Sequence, residues 1–467
     1  MTFREEKDFL GAKNIPSDAF WGINSLRSLE NFSLSGYKTH NCFIKALGYV
    51  KKACILTVKD LEIWDNKKTD AIISACDVLI EGKLDEQIIV DPMQGGAGTS
   101  LNMNINEVIA NYALGLLGYK KGQYEIIDPI EDVNIYQSTN DVYPTALKIA
   151  SIMLLKELEK KVVSLQESFE DKEKEFAGIV KIARTQLIDA VLVTLGKEFS
   201  AYAEAISRDR WRIYKCEERL RVVNIGGTAV GTGISAPRKF IFGVIEHLRD
   251  LTGIGLARAE NLVENTQNWD AFAEVSGILK AHATNIIKIS NDLRLLNSGP
   301  DAGLSEIILP SRQVGSSIMP GKVNPVIPEA AAQVGIKVLG NDVIINQCIS
   351  MGQLELNQFA PLIAFSFLET LELLINANEM LVANCIKGIK ANEDKIKSTL
   401  DKSYATLTAL IPRLGYKKVT EIVSKARESS LNVKEFIVKN NILTEEDYDY
   451  LTSPEAVLSL GQKDLSL

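Results

Sequence analysis

Residues 142–169, VYPTALKIASIMLLKELEKKVVSLQESF, set the fold class. Leu147, Ala150, Leu154, Leu158, Val162, Leu165 and Phe169 recur at steps of three and four, which places them on one face of a long amphipathic helix. Ser138, Thr139, Asn140 and Asp141 precede it as N-cap candidates, and Pro144 fits a first turn. Comparable patterns follow at roughly 190–222, 237–252, 267–296, 326–354 and 358–388, divided by glycine-rich breaks near 226–233, 298–303 and 315–321. Long helices with few strand signals predict a mainly α fold, with a central long-helix bundle over residues 138–390. Residues 1–137 are punctuated by Gly11, Pro16, Gly22, Gly36, Pro92 and Gly95-Gly96-Ala97-Gly98, and read as a mixed N-terminal domain. After about Ala391 the pattern shortens and charge increases, so residues 391–467 read as a small C-terminal helical domain. Val338-Leu339-Gly340 and Val343-Ile344-Ile345 make one bundle helix apolar on several faces, which calls for partners and suggests oligomerisation.

The composition narrows the function classes. With 467 residues, two or three domains are expected. A net charge of −8 argues against a nucleic-acid surface, and an anionic ligand must be met by local positive potential. The charged start lacks the apolar core of a signal peptide, and no uninterrupted apolar run of about 18 residues occurs, so the expectation is a cytoplasmic protein without a membrane partner. Cys42, Cys54, Cys76, Cys216, Cys348 and Cys385 are far apart, without metal-ligand spacing, and read as buried thiols. No metal or cofactor is expected. His40, His247 and His282 are the three histidines, and the last two lie in helical patterns, so the commonest general base is scarce.

Three segments place glycines or small polar side chains beside apolar helical sequence. Gln94-Gly95-Gly96-Ala97-Gly98-Thr99-Ser100-Leu101-Asn102-Met103-Asn104 lets backbone N–H groups approach an anion and adds hydroxyl donors near a helix start. It also reads as a plain turn. Gln137-Ser138-Thr139-Asn140-Asp141 reads equally as a set of caps. Gly315-Ser316-Ser317-Ile318-Met319-Pro320-Gly321-Lys322-Val323-Asn324-Pro325 is a polar loop, longer than an ordinary interhelical turn.

The third segment resembles the GSSxMPxKxN signature loop of the aspartase/fumarase superfamily. The resemblance takes in Phe20-Trp21-Gly22, Arg27, Glu30-Asn31-Phe32, both earlier segments, Arg184–Ala190 and Asn291–Pro300. Gly95–Ser100, Thr139 and Asn265-Thr266-Gln267-Asn268 are similar to the aspartase branch. Fumarases usually carry Thr-Gly-Ser-Gly, Ser and Ala-Pro-Asn-Lys at these places. Gln186 stands where many members have His, and Asp301 where the family usually has Arg.

The resemblance implies elimination of ammonia from L-aspartate to give fumarate, with a fumarase-like hydratase as the alternative. It assigns Thr99, Ser138, Thr139 and Ser317 to the β-carboxylate, and Lys322, Asn324 and Thr185 to the α-carboxylate. Asn140 and Gln186 would face the amino group, and Ser316 would be the base. It further implies a homotetramer whose sites each combine segments from three chains. Abstraction of the proton beside a carboxylate builds an enediolate, which pre-placed donors must meet.

Overall fold

The computed structural model describes residues 2–429 and 431–461. The chain opens with an antiparallel hairpin of β1 (Phe3–Asp8) and β2 (Gly11–Pro16). Helices α1 (Ile23–Asn31), α2 (Asn41–Asp60), α3 (Asn66–Ile80) and α4 (Thr99–Leu116) follow. The stretch quoted above lies within α5 (Thr139–Glu175), 37 residues long. A second hairpin, β3 (Val180–Thr185) and β4 (Ile188–Thr194), leads into α6 (Leu195–Leu220). Next come α7 (Arg238–Thr252), α8 (Leu262–Gln267), α9 (Asp270–Leu296), α10 (Val326–Ser350) and α11 (Ala360–Asn384). Short helices between Glu393 and Leu458 close the described chain. The fold is mainly helical, as the periodicity predicts.

Two local expectations change. The helical pattern from about 190 begins only at Leu195, because 188–194 pairs with β3 as a strand rich in β-branched residues. Pro144 lies inside α5 rather than in its first turn. It therefore removes the N–H that the carbonyl of Asn140 would accept in a regular helix.

By contacts the chain falls into two compact units. Unit 1 comprises residues 1–159, 211–283 and 336–375, and unit 2 comprises 160–210, 284–335 and 376–467. Unit 1 is built on the apolar stripe of α2, where Ile44, Leu47, Val50, Ile55 and Val58 are buried. Phe43 meets Tyr143 edge-on at 4.8 Å, and Phe272 meets Phe367 at 5.1 Å. Helix α1 has no side-chain cap of its own. Buried Glu107 of α4 supplies one, accepting from the N–H groups of Gly22 (2.8 Å), Asn24 (2.7 Å) and Ser25 (3.1 Å). A Cβ on Gly22 would lie 2.6 Å from Glu6 Oε2, so a larger residue there would have to displace that carboxylate.

Unit 2 gathers Phe169, Phe176, Phe199 and Tyr202 into an aromatic cluster. Its C-terminal part has a separate core of Leu407, Leu410, Val419, Phe436, Ile437 and Tyr448. The stretch from Ala360 to Gly388 is long and apolar enough to cross a membrane by length and composition, yet 67% of its apolar 18-residue window is buried within the protein. All six cysteines are free and five are buried, and burial pushes the Cys216 and Cys385 thiols up to about 12. Such thiols act as packing groups.

Candidate active site

Unit 1 brings the starts of α4 and α5 together. Gly96, Ala97 and Gly98 all have positive φ, so the chain curls into Thr99 at the head of α4. A Cβ on Gly98 would lie 2.3 Å from the ring of Tyr143, which seats α5 against this turn. One turn into α4, Asn102 donates to Thr139 Oγ1 (3.2 Å) and to Asn134 Oδ1 (3.1 Å). Buried Lys51 donates to Asn134 Oδ1 (2.9 Å) and Gln137 Oε1 (2.8 Å), and burial lowers its pKa to about 8.

The hydroxyls in this cluster differ in what they offer. Thr139 Oγ1 accepts from Asn102, and Ser138 Oγ accepts from the N–H of Asn140 (3.2 Å), so each keeps its own proton to donate. The hydroxyl of Thr99 donates to the carbonyl of Gly96 (2.8 Å) and must turn away from it to donate elsewhere. Asn140 Nδ2 donates to the carbonyl of Ala229 (2.7 Å). Asp141 is fully buried and accepts from the N–H groups of Ser138 (2.9 Å), Gly226 (3.0 Å) and Thr228 (2.8 Å). Desolvation pushes its carboxyl up to about 7, with those donors opposing the rise.

Unit 2 holds the other candidates in two places. Thr185 and Gln186 sit at the exposed tip of the β3–β4 hairpin, where Gln186 and Leu187 both take positive φ. The base of the hairpin is anchored by a buried charge cluster. Lys181 pairs with Glu198 (2.7 Å) and Glu306 (2.5 Å), and Arg184 with Glu306 (2.7 Å). The loop from Gly315 to Asn324 is closed on itself. Gly315 N–H bonds the carbonyl of Lys322 (2.9 Å), and Asn324 Nδ2 bonds the carbonyl of Gly315 (2.7 Å). The backbones pass so closely that a Cβ on Gly315 would lie 2.7 Å from Asn324 N.

Within this loop Ser316 Oγ accepts from the N–H groups of Met319 (2.9 Å) and Ile318 (3.2 Å). Ser317 and Lys322 are exposed. Among the described residues Lys322 makes no ion pair or side-chain hydrogen bond, so its ammonium is available to an anion. No hydrogen bond joins the hairpin tip to this loop among the described residues.

Sequence reasoning passed over the supports beneath these residues. Asn134 and Lys51 lie in helical or turn sequence that reads as ordinary, Asn102 stands in the first polar segment without an assigned role, and Asn224 borders a glycine-rich break. The density of Gly226, Gly227, Gly231 and Gly233 was the available signal, since such backbones serve close approach.

Known proteins resemble the chain over nearly its whole length. Residues 11–340 match the family model described as Lyase, and residues 407–459 the one described as Fumarase C C-terminus. An aspartate ammonia-lyase from Bacillus sp is 47% identical, covering 97% of this chain and 96% of that protein. The crystal structure of a fumarate lyase:delta crystallin from Brucella melitensis superposes with a TM-score of 0.93 at 44% identity, covering 97% of this chain and 99% of that one. The recombinant class II fumarase from Schistosoma mansoni gives a TM-score of 0.92 at 32% identity, covering 98% of this chain and 100% of that one. The backbone is thus shared with a class II fumarase, while sequence identity is higher to the aspartate ammonia-lyase.

Proposed function

Because this chain belongs to the aspartate ammonia-lyases of the fumarate lyase superfamily, we propose that its two residue clusters divide the work of one elimination. The reaction is the removal of ammonia from L-aspartate to leave fumarate, and the chain is a carbon–nitrogen lyase. Ser316 Oγ takes the proton from the carbon beside the β-carboxylate. The electron pair moves into that carboxylate as an enediolate, then returns to form the carbon–carbon double bond as the carbon–nitrogen bond breaks.

The observation that carries this reading is the pair of N–H groups aimed at Ser316 Oγ. A serine oxygen is a base only as its alkoxide, and each fixed donor to an oxyanion is worth about 3 kcal/mol. Lys322, six residues on in the same closed loop, adds positive potential.

The hydroxyls of Ser138 and Thr139 keep their protons and suit the β-carboxylate, together with Thr99 and Ser317. The cation of Lys322, the amide of Asn324 and the hydroxyl of Thr185 suit the α-carboxylate. Asn140 and Gln186 face the amino group. Each site combines segments from three chains of a homotetramer, a reading favoured by the exposed apolar tip of the β3–β4 hairpin.

The test supplies fumarate with ammonium in one reaction and fumarate alone in another. Aspartate should form in the first and no malate in the second. Efficient malate formation, with no aspartate when ammonium is present, overturns the assignment.

A further inference from the structure

Pro144 leaves the carbonyl of Asn140 without its helical donor, and the structure fills that place with a side chain. Asn224 Nδ2 donates to Asn140 O at 3.0 Å. The same Nδ2 donates to Thr266 Oγ1 (2.9 Å), while Thr145 donates to Asn224 Oδ1 (3.3 Å). Thr266 passes its own proton to the carbonyl of Leu262 (2.7 Å). Asn224, Thr145 and Thr266 are all buried. Each amide orientation follows from its partner, because a carbonyl oxygen only accepts and must face Nδ2.

The loop that begins at Asn224 also fixes the side chain of Asn140. Ala229 O holds Asn140 Nδ2, and the N–H groups of Gly226 and Thr228 hold the neighbouring Asp141. The loop itself is backed by α8. A Cβ on Gly231 would lie 2.3 Å from Val263 N, so the two backbones touch there. Among the described residues Asn140 Oδ1 accepts no hydrogen bond, which leaves it as the free end of the amide. An ammonium group has N–H donors and no lone pair, so it needs an acceptor. An amide turned the other way would present donors to donors.

We propose that Asn224, held by Thr266, is a positioning residue that presents Asn140 Oδ1 to the α-ammonium group of the substrate. The α8 segment thereby sets recognition of the leaving nitrogen without touching it. This inference rests on the reading that Asn140 faces the amino group.

The test runs the reaction from fumarate and ammonium and measures a KM for each. Thr266→Val removes the acceptor that orients Asn224 at nearly constant shape. It should raise the ammonium KM about tenfold while the fumarate KM stays within about twofold. Thr266→Ser keeps the hydroxyl and should behave as wild type. In an Asn140→Ala background, Thr266→Val should add nothing further to the ammonium KM.

Should Thr266→Val not accumulate as folded protein, Asn224→Ser carries the same comparison, since its hydroxyl is too short to reach Asn140 O. Equal changes in both KM values, no change in either, or full additivity with Asn140→Ala overturns the positioning role. If Asn140→Ala by itself raises the fumarate KM rather than that of ammonium, the placement of Asn140 is what fails.

Discussion

Ser316 Oγ receives two backbone N–H groups from its own loop. That arrangement favours the alkoxide in a way a solvated serine lacks, and the proposed base would then act mainly in the transition state. Ser316→Ala should leave fold and fumarate binding nearly intact while kcat falls by on the order of 10³ or more. A variant retaining a tenth of wild-type kcat would show that another group takes the proton. Asp141 gives a pH signature of the opposite kind. Its folded pKa of about 7 lies above the ordinary 3.8, so between these values the folded chain holds a proton that the unfolded chain has released. Stability from this group is then full at the acid end and falls as pH rises through 7, by about 1.4 kcal/mol per unit. Asp141→Asn does not titrate. The melting-temperature advantage of wild type over Asp141→Asn should shrink from about pH 5 to about pH 7. A gap that stays constant across that range would mean Asp141 is charged throughout.

At the level of elements, the site depends on where helices start and on what replaces their missing partners. Helix α4 starts from a left-handed glycine packed under Tyr143, and α5 carries a proline whose absent donor is replaced by Asn224. Gly98→Ala should therefore be costly twice over. Left-handed backbone costs an alanine about 1–2 kcal/mol, and overpacking against the Tyr143 ring adds about 1–3 kcal/mol. Gly118 supplies the control, with φ of +83° and open space where a Cβ would go. Gly118→Ala should show the backbone penalty alone in denaturant titrations. Equal losses for the two variants would mean that the Tyr143 contact is not what demands glycine at 98.

For the whole molecule, the sequence places its chemical residues in two separately packed units. Thr99, Ser138, Thr139 and Asn140 belong to unit 1, whereas Thr185, Gln186, Ser316, Ser317, Lys322 and Asn324 belong to unit 2. Large apolar side chains are left in solvent beside them. Leu187 and Ile188 at the hairpin tip are 71% and 70% exposed, and α10 exposes Ile336, Val343 and Ile344. Large apolar side chains left exposed in each unit are surfaces that partners cover in stable assemblies. The proposed sharing of sites among the subunits of a tetramer makes a direct prediction. Ser316→Ala and Thr185→Val, each inactive alone, should complement when unfolded and refolded together. In random tetramers a site is intact when each of two contributing chains is unmutated in its segment, so about a quarter of wild-type activity should return. Mixed tetramers as inactive as their components would place both segments of a site on one chain.

The sequence by itself determined the helical architecture, because a three-to-four-residue apolar spacing over residues 147–169 has one low-energy solution in water. It also marked the closed loop, since Gly315, Lys322 and Asn324, which bond one another, lie within one short segment. Only the tertiary structure decided how those residues are held. Asn224 lies 84 residues from Asn140, and Glu107 lies 85 from the Gly22 N–H it caps. Partners so distant leave no periodic trace, because any polar residue with the right reach satisfies an orphaned N–H or C=O. The strand at 188–194 has a similar cause: its hydrogen bonds go to β3, and pairing with that neighbour overrode the local helical spacing.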